Sequence, residues 1–168
     1  MSASDLFDDP RLTAMGLLFE THEGLLARME PVWKAHGLSG LDLNALIRLS
    51  RSPGRRLRMT DLANQTSLST SGVTRLVDRL SRGGLSVREL DPADRRVSYA
   101  TLTEAGAQRL EQVLPLYLDA IQHWLIDLLT TEQLDALLCA LRIVRDTVNP
   151  QATALGSAPA EWRSAQQN

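Results

Sequence analysis

The chain has 168 residues, of which 43% are hydrophobic, 4% aromatic and 23% charged, and its formal net charge is −2. This length suits one domain, or a small module with a dimerisation layer, and the scarcity of aromatic residues leaves the core to aliphatic side chains. No apolar run reaches the roughly 18 residues of a membrane span, residues 1–10 lack the pattern of a secretory signal, and the lone Cys139 excludes an internal disulfide. We therefore expect a cytoplasmic protein with no membrane partner.

Positive charge is concentrated in the middle of the chain. Residues 48–96 contain 11 arginines and 5 acidic residues, a local charge of +6, whereas the remainder carries −8. A basic centre between acidic flanks predicts one surface that faces a polyanion, rather than a protein that is basic all round.

The first part of the chain predicts two helices. Apolar residues at helical spacing indicate a long helix over 11–35, with Gly37 just beyond its end, and a second helix over 42–52. The dipeptide Pro53-Gly54 ends the second helix, because proline and glycine interrupt regular structure.

A helix-turn-helix pattern follows. Thr60 is predicted to cap a short helix that ends near Gln65, and residues 66–68 form the turn. Ser69 is predicted to cap the next helix, which ends at Gly83 and has an inward apolar stripe at Val73, Leu76, Val77 and Leu80. The outer face is then polar and basic, with Thr70, Ser71, Thr74, Arg75, Asp78, Arg79 and Arg82.

Two short segments with alternating apolar residues predict a β-hairpin. They span 85–90 and 96–102, and the polar link 91–95, which contains Pro92, is typical of a turn. A helix sized for the major groove beside an arginine-tipped hairpin is typical of sequence-specific DNA binding.

The last part of the chain predicts two long helices. The first begins near Thr103 and reaches about Leu129, with a kink over 111–114 caused by Pro115. A capping box of Thr130 and Gln133 opens the second, which runs to about Val148. These helices and the first one carry more apolar surface than a small winged module can cover, so we expect a homodimer.

The predicted fold is therefore mostly α with a small β-hairpin wing. Residues 41–102 form a winged helix-turn-helix DNA-binding domain, and residues 11–36 and 103–148 form a helical dimerisation region. Residues 1–10 and 149–168 are predicted to be flexible tails, because they are short of the apolar residues that would anchor them.

Three segments, in order and at the right spacing, resemble the multiple antibiotic resistance regulator (MarR) family of bacterial winged helix-turn-helix regulators. The resemblance covers roughly 41–106, and beyond it the helices agree only in length and order. Its one departure is Ser86, where the family usually has a branched apolar residue. The matching segments are Leu57-Arg58-Met59-Thr60-Asp61-Leu62-Ala63, then Ser71-Gly72-Val73-Thr74-Arg75-Leu76-Val77-Asp78-Arg79-Leu80, then Asp94 and Arg96 of the wing followed by Leu102-Thr103-Glu104-Ala105-Gly106.

The resemblance implies a homodimer with interlocked terminal helices that binds a pseudo-palindromic site in double-stranded DNA, most often as a repressor. Many members of the family release DNA when a small aromatic or phenolic ligand binds between the two layers, and others respond to thiol oxidation or to metals. The resemblance also implies that Asp94 and Arg96 stiffen the wing by pairing, which leaves Arg95 as the better DNA contact.

The predicted DNA contacts lie at the start and on the outer face of the recognition helix, and on the wing. Exposed N–H groups and hydroxyls suit phosphates and base edges, and arginine suits guanine in the major groove and the narrow minor groove. Asp78 is expected to orient an arginine. Two interpretations remain open for the cluster of Arg55, Arg56 and Arg58: contacts with backbone phosphates, or a solvated loop. The predicted contacts are Ser69, Thr70, Ser71, Thr74, Arg75 and Arg79 on the helix, and Asp94, Arg95 and Arg96 on the wing.

Ligand-pocket candidates come from the first helix and its end, although ordinary core and dimer packing is the stronger interpretation for each of them. They are Arg11, Met15, Phe19, His22, Trp33 and His36. Cys139 lies close to the apolar stripe of the last helix and is expected to be a buried, inert thiol. No catalytic motif and no metal-ligand spacing of histidines occurs, so no enzyme activity, metal or cofactor is expected. Two alternatives remain, a winged-helix module that binds protein, and a thiol or ligand sensor whose DNA binding is secondary.

Overall fold

A computed structural model describes residues 6–153. Of the predicted tails, 1–10 and 149–168, residues 1–5 and 154–168 lie outside the described residues. The chain folds in the order α1 (Pro10–Lys34), α2 (Gly40–Ser50), β1 (Arg56–Arg58), α3 (Met59–Thr66), α4 (Thr70–Arg82), β2 (Ser86–Leu90), β3 (Ser98–Leu102), α5 (Glu104–Ile121) and α6 (Thr131–Val148). Short 3-10 turns occupy Pro53–Arg55 and Pro150–Thr153, and a π-helical turn occupies Gln122–Ile126.

The predicted fold class, mostly α with a small β wing, is confirmed. The hairpin strands β2 and β3 pair antiparallel, with Val87 opposite Thr101. The sheet has a third strand that the sequence did not predict, because β1 is only three residues long and buries only its central residue, Leu57. Strand β1 pairs with β3, with Leu57 opposite Ala100, and gives the order β1-β3-β2.

The core lies where α2, α3 and α4 pack together and against β3. The predicted inward stripe of α4 is confirmed, since its four residues are at most 2% exposed. Burial of each such aliphatic side chain stabilises the fold by about 1.5–3 kcal/mol. The stripe, Val73, Leu76, Val77 and Leu80, meets Leu43, Leu46 and Leu49 of α2 and Leu62 of α3 in one continuous cluster.

Side-chain caps set several helix starts. Ser69 Oγ accepts the N–H of Gly72, as predicted, and Thr130 forms the predicted capping box. Helix α2 begins at Gly40 rather than 42, because Ser39 caps it in a second capping box. The predicted cap at Thr60 is wrong: α3 begins at Met59, since β1 leads straight into it without a side-chain cap.

The junction between the wing and α5 is held by close polar and backbone contacts. The hydroxyl of Thr103 donates to the carbonyl oxygen of Gly84 at 2.6 Å and accepts the N–H of Gly106 at 3.0 Å. A Cβ at position 106 would lie 2.1 Å from the carbonyl oxygen of Leu85, so this position accepts only glycine. Ser86, where the family resemblance departs, is buried, and its Oγ lies 3.3 Å from Ser81 Oγ.

The long helix after the wing is shorter than predicted. It continues through Pro115 to Ile121 instead of reaching Leu129. The departure from α-helical geometry comes beyond Pro115, in the π-helical turn, where the N–H of Asp127 donates to the carbonyl oxygen of Gln122 at 2.8 Å. The chain leaves this turn at Asp127 and enters α6 at Thr131.

Helices α1 and α6 leave wide apolar faces uncovered in the single chain. Of the apolar stripe predicted for α6, only Leu134 is buried. The exposed apolar residues include Leu12, Met15, Leu18 and Phe19 on α1, and Leu137, Leu141, Ile143, Val144 and Val148 on α6. Across residues 6–153, no helix combines the length and the apolar character needed to cross a membrane.

Candidate nucleic-acid interface

The start of α4 presents polar groups to solvent. Ser69, Thr70 and Ser71 are all exposed, and the Oγ atoms of Ser69 and Ser71 lie 3.1 Å apart. Because the first N–H groups of a helix lack partners within it, this end of α4 is suited to phosphate oxygens and acceptors on base edges.

Two predicted DNA contacts on the outer face of α4, Thr74 and Arg75, differ in whether their polar groups already have a partner within the protein. Arg75 is exposed, and no carboxylate pairs with it within residues 6–153. Thr74 is half-buried, and its hydroxyl donates to the carbonyl oxygen of Thr70 at 2.9 Å. Arg75 is therefore the side chain of this face with the most hydrogen-bonding capacity left for a base.

Arg79, predicted as a DNA contact, is exposed but is also bound to the start of α2. Its Nε and Nη2 atoms donate to Asp42 Oδ1 at 3.0 and 2.7 Å. Asp42 is buried, and its other carboxylate oxygen accepts from the backbone N–H and the Oγ of Ser39 at 2.8 and 2.6 Å. Asp42, rather than the predicted Asp78, orients an arginine of α4.

Sequence reasoning missed Asp42 as a functional residue. The available signal was the pair Ser39 and Asp42, three residues apart before an apolar run, which has the spacing of a capping box. The pairing of Asp42 with Arg79 could not be predicted from the sequence, because the two residues are 37 positions apart.

The wing tip is organised by two aspartates. One oxygen of Asp91 accepts the N–H groups of Ala93 and Asp94 at 2.8 and 3.2 Å, and Asp94 accepts from the Nε and the backbone N–H of Arg96 at 3.1 and 3.0 Å. These contacts lower the pKa of Asp91, mainly through the N–H of Ala93, and the pKa of Asp94, mainly through Arg96. The stabilisation they give is therefore complete above the ordinary carboxyl range and is lost as the pH falls through the lowered pKa values.

Arg95 differs from its neighbour. It is exposed, and within the described part of the chain it forms no ion pair, whereas Arg96 is tied to Asp94. The structure thus has the pairing that the family resemblance implied, and it leaves Arg95 as the wing arginine that can enter a minor groove.

The arginine cluster before α3 lies on and beside β1. The guanidinium of Arg56 stacks over the ring of Tyr99 at 4.5 Å, and Arg58 Nε donates to the Tyr99 hydroxyl at 3.4 Å. Arg55 pairs with Glu104 at 3.3 Å. Each member of the cluster is exposed and also has a partner within the protein.

The predicted ligand-pocket residues do not all lie together. A cavity of about 1200 Å³ is bounded by α1, α2, α5 and α6, and of the six candidates only His22 and Trp33 line it. Met15 and Phe19 are exposed, and Arg11 pairs with Asp9 outside the cavity. The carbonyl oxygen of His36 accepts from Arg109 Nη1 at 2.6 Å, a contact between α5 and the loop before α2.

The expectation of a buried thiol is wrong for the single chain, because Cys139 is exposed on the uncovered side of α6. No group of three or more His, Cys, Asp or Glu residues has the geometry of a metal site within residues 6–153.

Comparison with known proteins places the chain among regulators. The family model described as MarR family matches residues 36–97. The HTH-type transcriptional repressor YetL of Bacillus subtilis is 33% identical over 98 residues, which are 58% of this chain and 59% of YetL. The HTH-type regulator YkoM of the same organism is 32% identical over 84 residues, 50% of this chain and 53% of YkoM. The chain thus spans little more than half the length of these curated relatives.

Two solved structures from Streptomyces coelicolor match over nearly their whole length. AbsC, a MarR family transcriptional regulator, is 32% identical with a TM-score of 0.79, and the match covers 84% of this chain and 96% of AbsC. Sco3205, another MarR family regulator, solved in complex with DNA, is 29% identical with a TM-score of 0.78 over 92% of this chain and 94% of Sco3205. Because it shares the fold of AbsC and is 32% identical to it over 96% of its length, the chain belongs to the MarR family of transcriptional regulators.

Proposed function

We propose that this protein is a sequence-specific DNA-binding regulator, a repressor that acts in the cytoplasm as a homodimer on a pseudo-palindromic operator. The observation that carries the proposal is the exposed polar face of α4 beside the free arginine of the wing. Thr70, Arg75 and Arg95 are exposed, and their side chains form no ion pair or hydrogen bond within the described residues. The proposed function involves no catalysis.

In the proposed complex, α4 enters the major groove and the wing follows the adjacent minor groove. Arg75 would contact a guanine, a pairing that contributes about 1–3 kcal/mol of discrimination against other bases. Arg95 would enter the minor groove, whose narrow segments concentrate negative potential. The hydroxyls of residues 69–71 would bind phosphates and set the register of the helix.

A homodimer is supported by the uncovered apolar faces of α1 and α6. Isolated exposed apolar residues are ordinary, but contiguous apolar faces on two helices indicate a protein interface. A two-fold axis would place the two α4 helices about 34 Å apart, in successive major grooves.

Repression is supported by YetL, a relative that is a transcriptional repressor. DNA binding is supported by Sco3205, whose structure was solved in complex with DNA. We further propose that a small-molecule effector occupies the cavity and releases the DNA. The rings of Trp33 and Tyr117, whose centroids are 6.1 Å apart in an edge-on arrangement, line this cavity and could pack against an aromatic group.

The test combines the mass of the protein in solution with selection of DNA. Light scattering should give twice the mass of one chain, and selection from a random duplex library should yield a palindromic consensus whose binding weakens with added salt. A monomer that binds no duplex at low ionic strength would contradict the proposal, and a partner captured without DNA would favour the protein-binding alternative. Release of DNA by peroxide, lost in a Cys139→Ser variant, would favour the thiol-sensor alternative.

A further inference from the structure

The outer face of the three-stranded sheet carries two arginines beside a tyrosine. Leu57 of β1 is buried, and successive residues of a strand point to opposite faces, so Arg56 and Arg58 share the exposed face. Tyr99 of β3 is the pairing partner of Arg58, and residues that pair directly across two strands lie on the same face. Arg56, Arg58 and Tyr99, called here the β1 patch, therefore form one surface.

Tyr99 contacts both arginines of the patch. The guanidinium of Arg56 lies over the ring of Tyr99, 4.5 Å from its centroid, and the Tyr99 hydroxyl accepts from Arg58 Nε at 3.4 Å. The first distance is well inside the roughly 6 Å limit of a cation–π contact, whereas the second exceeds the roughly 3.2 Å of an ordinary hydrogen bond. The aromatic ring therefore contributes more than the hydroxyl to the arrangement of the patch.

Tyr99 also connects the patch to the turn at the wing tip. The N–H of Ala93 is the largest cause of the lowered pKa of Asp91, and a hydrogen bond from the side chain of Tyr99 lowers this pKa further. Tyr99 follows Arg95 by four positions, so at about 3.3 Å per residue their Cα atoms lie within roughly 13 Å of each other. The β1 patch is thus close to the exposed arginine of the wing.

The arginines of the patch keep donors for an external partner. Within residues 6–153, Arg56 and Arg58 form no ion pair, and the guanidinium of Arg56 donates no hydrogen bond. A guanidinium has five N–H donors, and stacking on a ring covers its face but leaves its edges open. At the other edge of the same sheet face, Glu89 is acidic and accepts from Thr101 Oγ1 at 2.7 Å. The face is therefore basic along β1 and would attract an anion there.

We propose that the β1 patch binds phosphates of duplex DNA beside the minor groove, and that Tyr99 is the positioning residue that presents Arg56 and Arg58 to them. A minor groove about 6 Å wide is bordered by the phosphates of both strands, which follow one another every 3.4 Å or so along each strand. Arginines within roughly 13 Å of the wing tip then reach phosphates that flank the groove. The inference rests on the proposed entry of Arg95 into the minor groove.

A salt titration tests the phosphate contact. The probe is a random-sequence duplex, because phosphate contacts do not depend on sequence. Arg56→Ala should lower the slope of log affinity against log salt by about 0.9. Arg28→Ala is the matched control, since Arg28 also lies 4.5 Å from the centroid of an aromatic ring, that of Trp124, but belongs to α1 outside the winged module. Its slope should equal that of the wild-type protein. Equal slopes for Arg56→Ala and Arg28→Ala would overturn the patch.

Variants of Tyr99 test the positioning role without changing the charge. Tyr99→Leu should weaken duplex binding about two- to fivefold, the factor by which an exposed stack favours the bound orientation of Arg56. Tyr99→Phe keeps the ring and should bind nearly as well as the wild-type protein. When Arg56→Ala is already present, Tyr99→Leu should cost little more, because the arginine that it positions is absent. Additive losses, or a Tyr99→Phe protein as weak as Tyr99→Leu, would overturn the positioning role.

The outcomes separate this inference from the proposed function. A wild-type protein that binds duplex DNA with a slope insensitive to Arg56→Ala would overturn the β1 patch alone. A slope lowered by Arg56→Ala, together with a selection that yields no consensus, would support the patch and overturn the proposed sequence specificity. A wild-type protein that binds no duplex would overturn both.

Discussion

Arg79 has the position of a base-reading residue but the contacts of a structural one. Its guanidinium joins α4 to Asp42 at the start of α2 with two hydrogen bonds. Because the arginine side chain is 49% exposed and the carboxylate only 7%, removing the arginine leaves a buried charge, whereas removing the aspartate leaves a cation that can reach water.

We therefore expect Arg79→Met to destabilise the protein by about 1–3 kcal/mol, with part of the loss recovered in the double variant with Asp42→Asn. Urea unfolding of the two single variants and the double variant would measure this coupling. The salt dependence of DNA affinity should change little in Arg79→Met, because this charge is already neutralised within the protein. Unchanged stability together with a relaxed base preference would instead make Arg79 a base-reading residue.

Arg95 and Arg96 are adjacent in the chain but differ in their contacts. Arg95→Ala should weaken DNA binding and lower the slope of log affinity against log salt by about 0.9, the contribution of one phosphate contact. Arg96→Ala is the matched variant, with the same loss of charge, and should change the slope less because Asp94 already pairs with Arg96. Fluorescence anisotropy across a salt titration measures both slopes. Equal slopes for Arg95→Ala and the wild-type protein would remove Arg95 from the interface.

Arg75 is expected to read sequence rather than charge alone. Arg75→Ala should relax the preference at one base pair in each half-site, with a loss of about 1–3 kcal/mol of discrimination. Sequencing of DNA selected by the variant and by the wild-type protein would measure the change. Thr74→Val provides the comparison, since its hydroxyl is already bonded within the helix, and its consensus should stay close to the wild-type one. An unaltered Arg75→Ala consensus would contradict the assignment.

At the scale of elements, the wing and α5 meet at Gly106 with no room for a side chain. Gly106→Ala should destabilise the protein by about 1–3 kcal/mol or more, because the methyl group would overlap the backbone of Leu85 rather than a movable side chain. Gly24→Ala is the control, since no atom lies within 4 Å of its added Cβ and alanine favours a helix by about 1 kcal/mol. Thermal unfolding of both variants would measure the difference. A Gly106→Ala protein as stable as the wild type would show that the contact is looser than described.

Elements defined by local periodicity could be predicted from the sequence. The buried stripe of α4 and the capping box of Thr130 follow from residues within one or two turns of each other, and both are confirmed. Strand β1 could not be predicted, because three residues with one buried side chain give no pattern and its pairing with β3 spans more than 40 residues. For the same reason the sequence indicated the polar face of α4 but not the ion pair between Arg79 of this face and Asp42.

At the scale of the whole molecule, the exposed apolar residues of α6 offer the most direct test of dimerisation. Ile143 is 65% exposed on a helix that buries only Leu134 in the single chain. Ile143→Asp should weaken dimerisation by about tenfold or more, because a two-fold axis introduces the substitution twice. Light scattering over a dilution series would measure the change, with Asn64→Asp, an exposed position of α3, as the control for added charge. A dimer unaffected by Ile143→Asp would place the subunit contact elsewhere.

The uncovered faces of α1 and α6 also bear on how the regulator would respond to its own abundance. If two chains must join before both halves of an operator are filled, then below the dimer dissociation constant the fraction of occupied operators rises with the square of the number of chains per cell. Halving that number at cell division would then reduce occupancy about fourfold rather than twofold. The apolar surface of two helices would in this way make the regulated gene sensitive to dilution by growth, without any signal molecule.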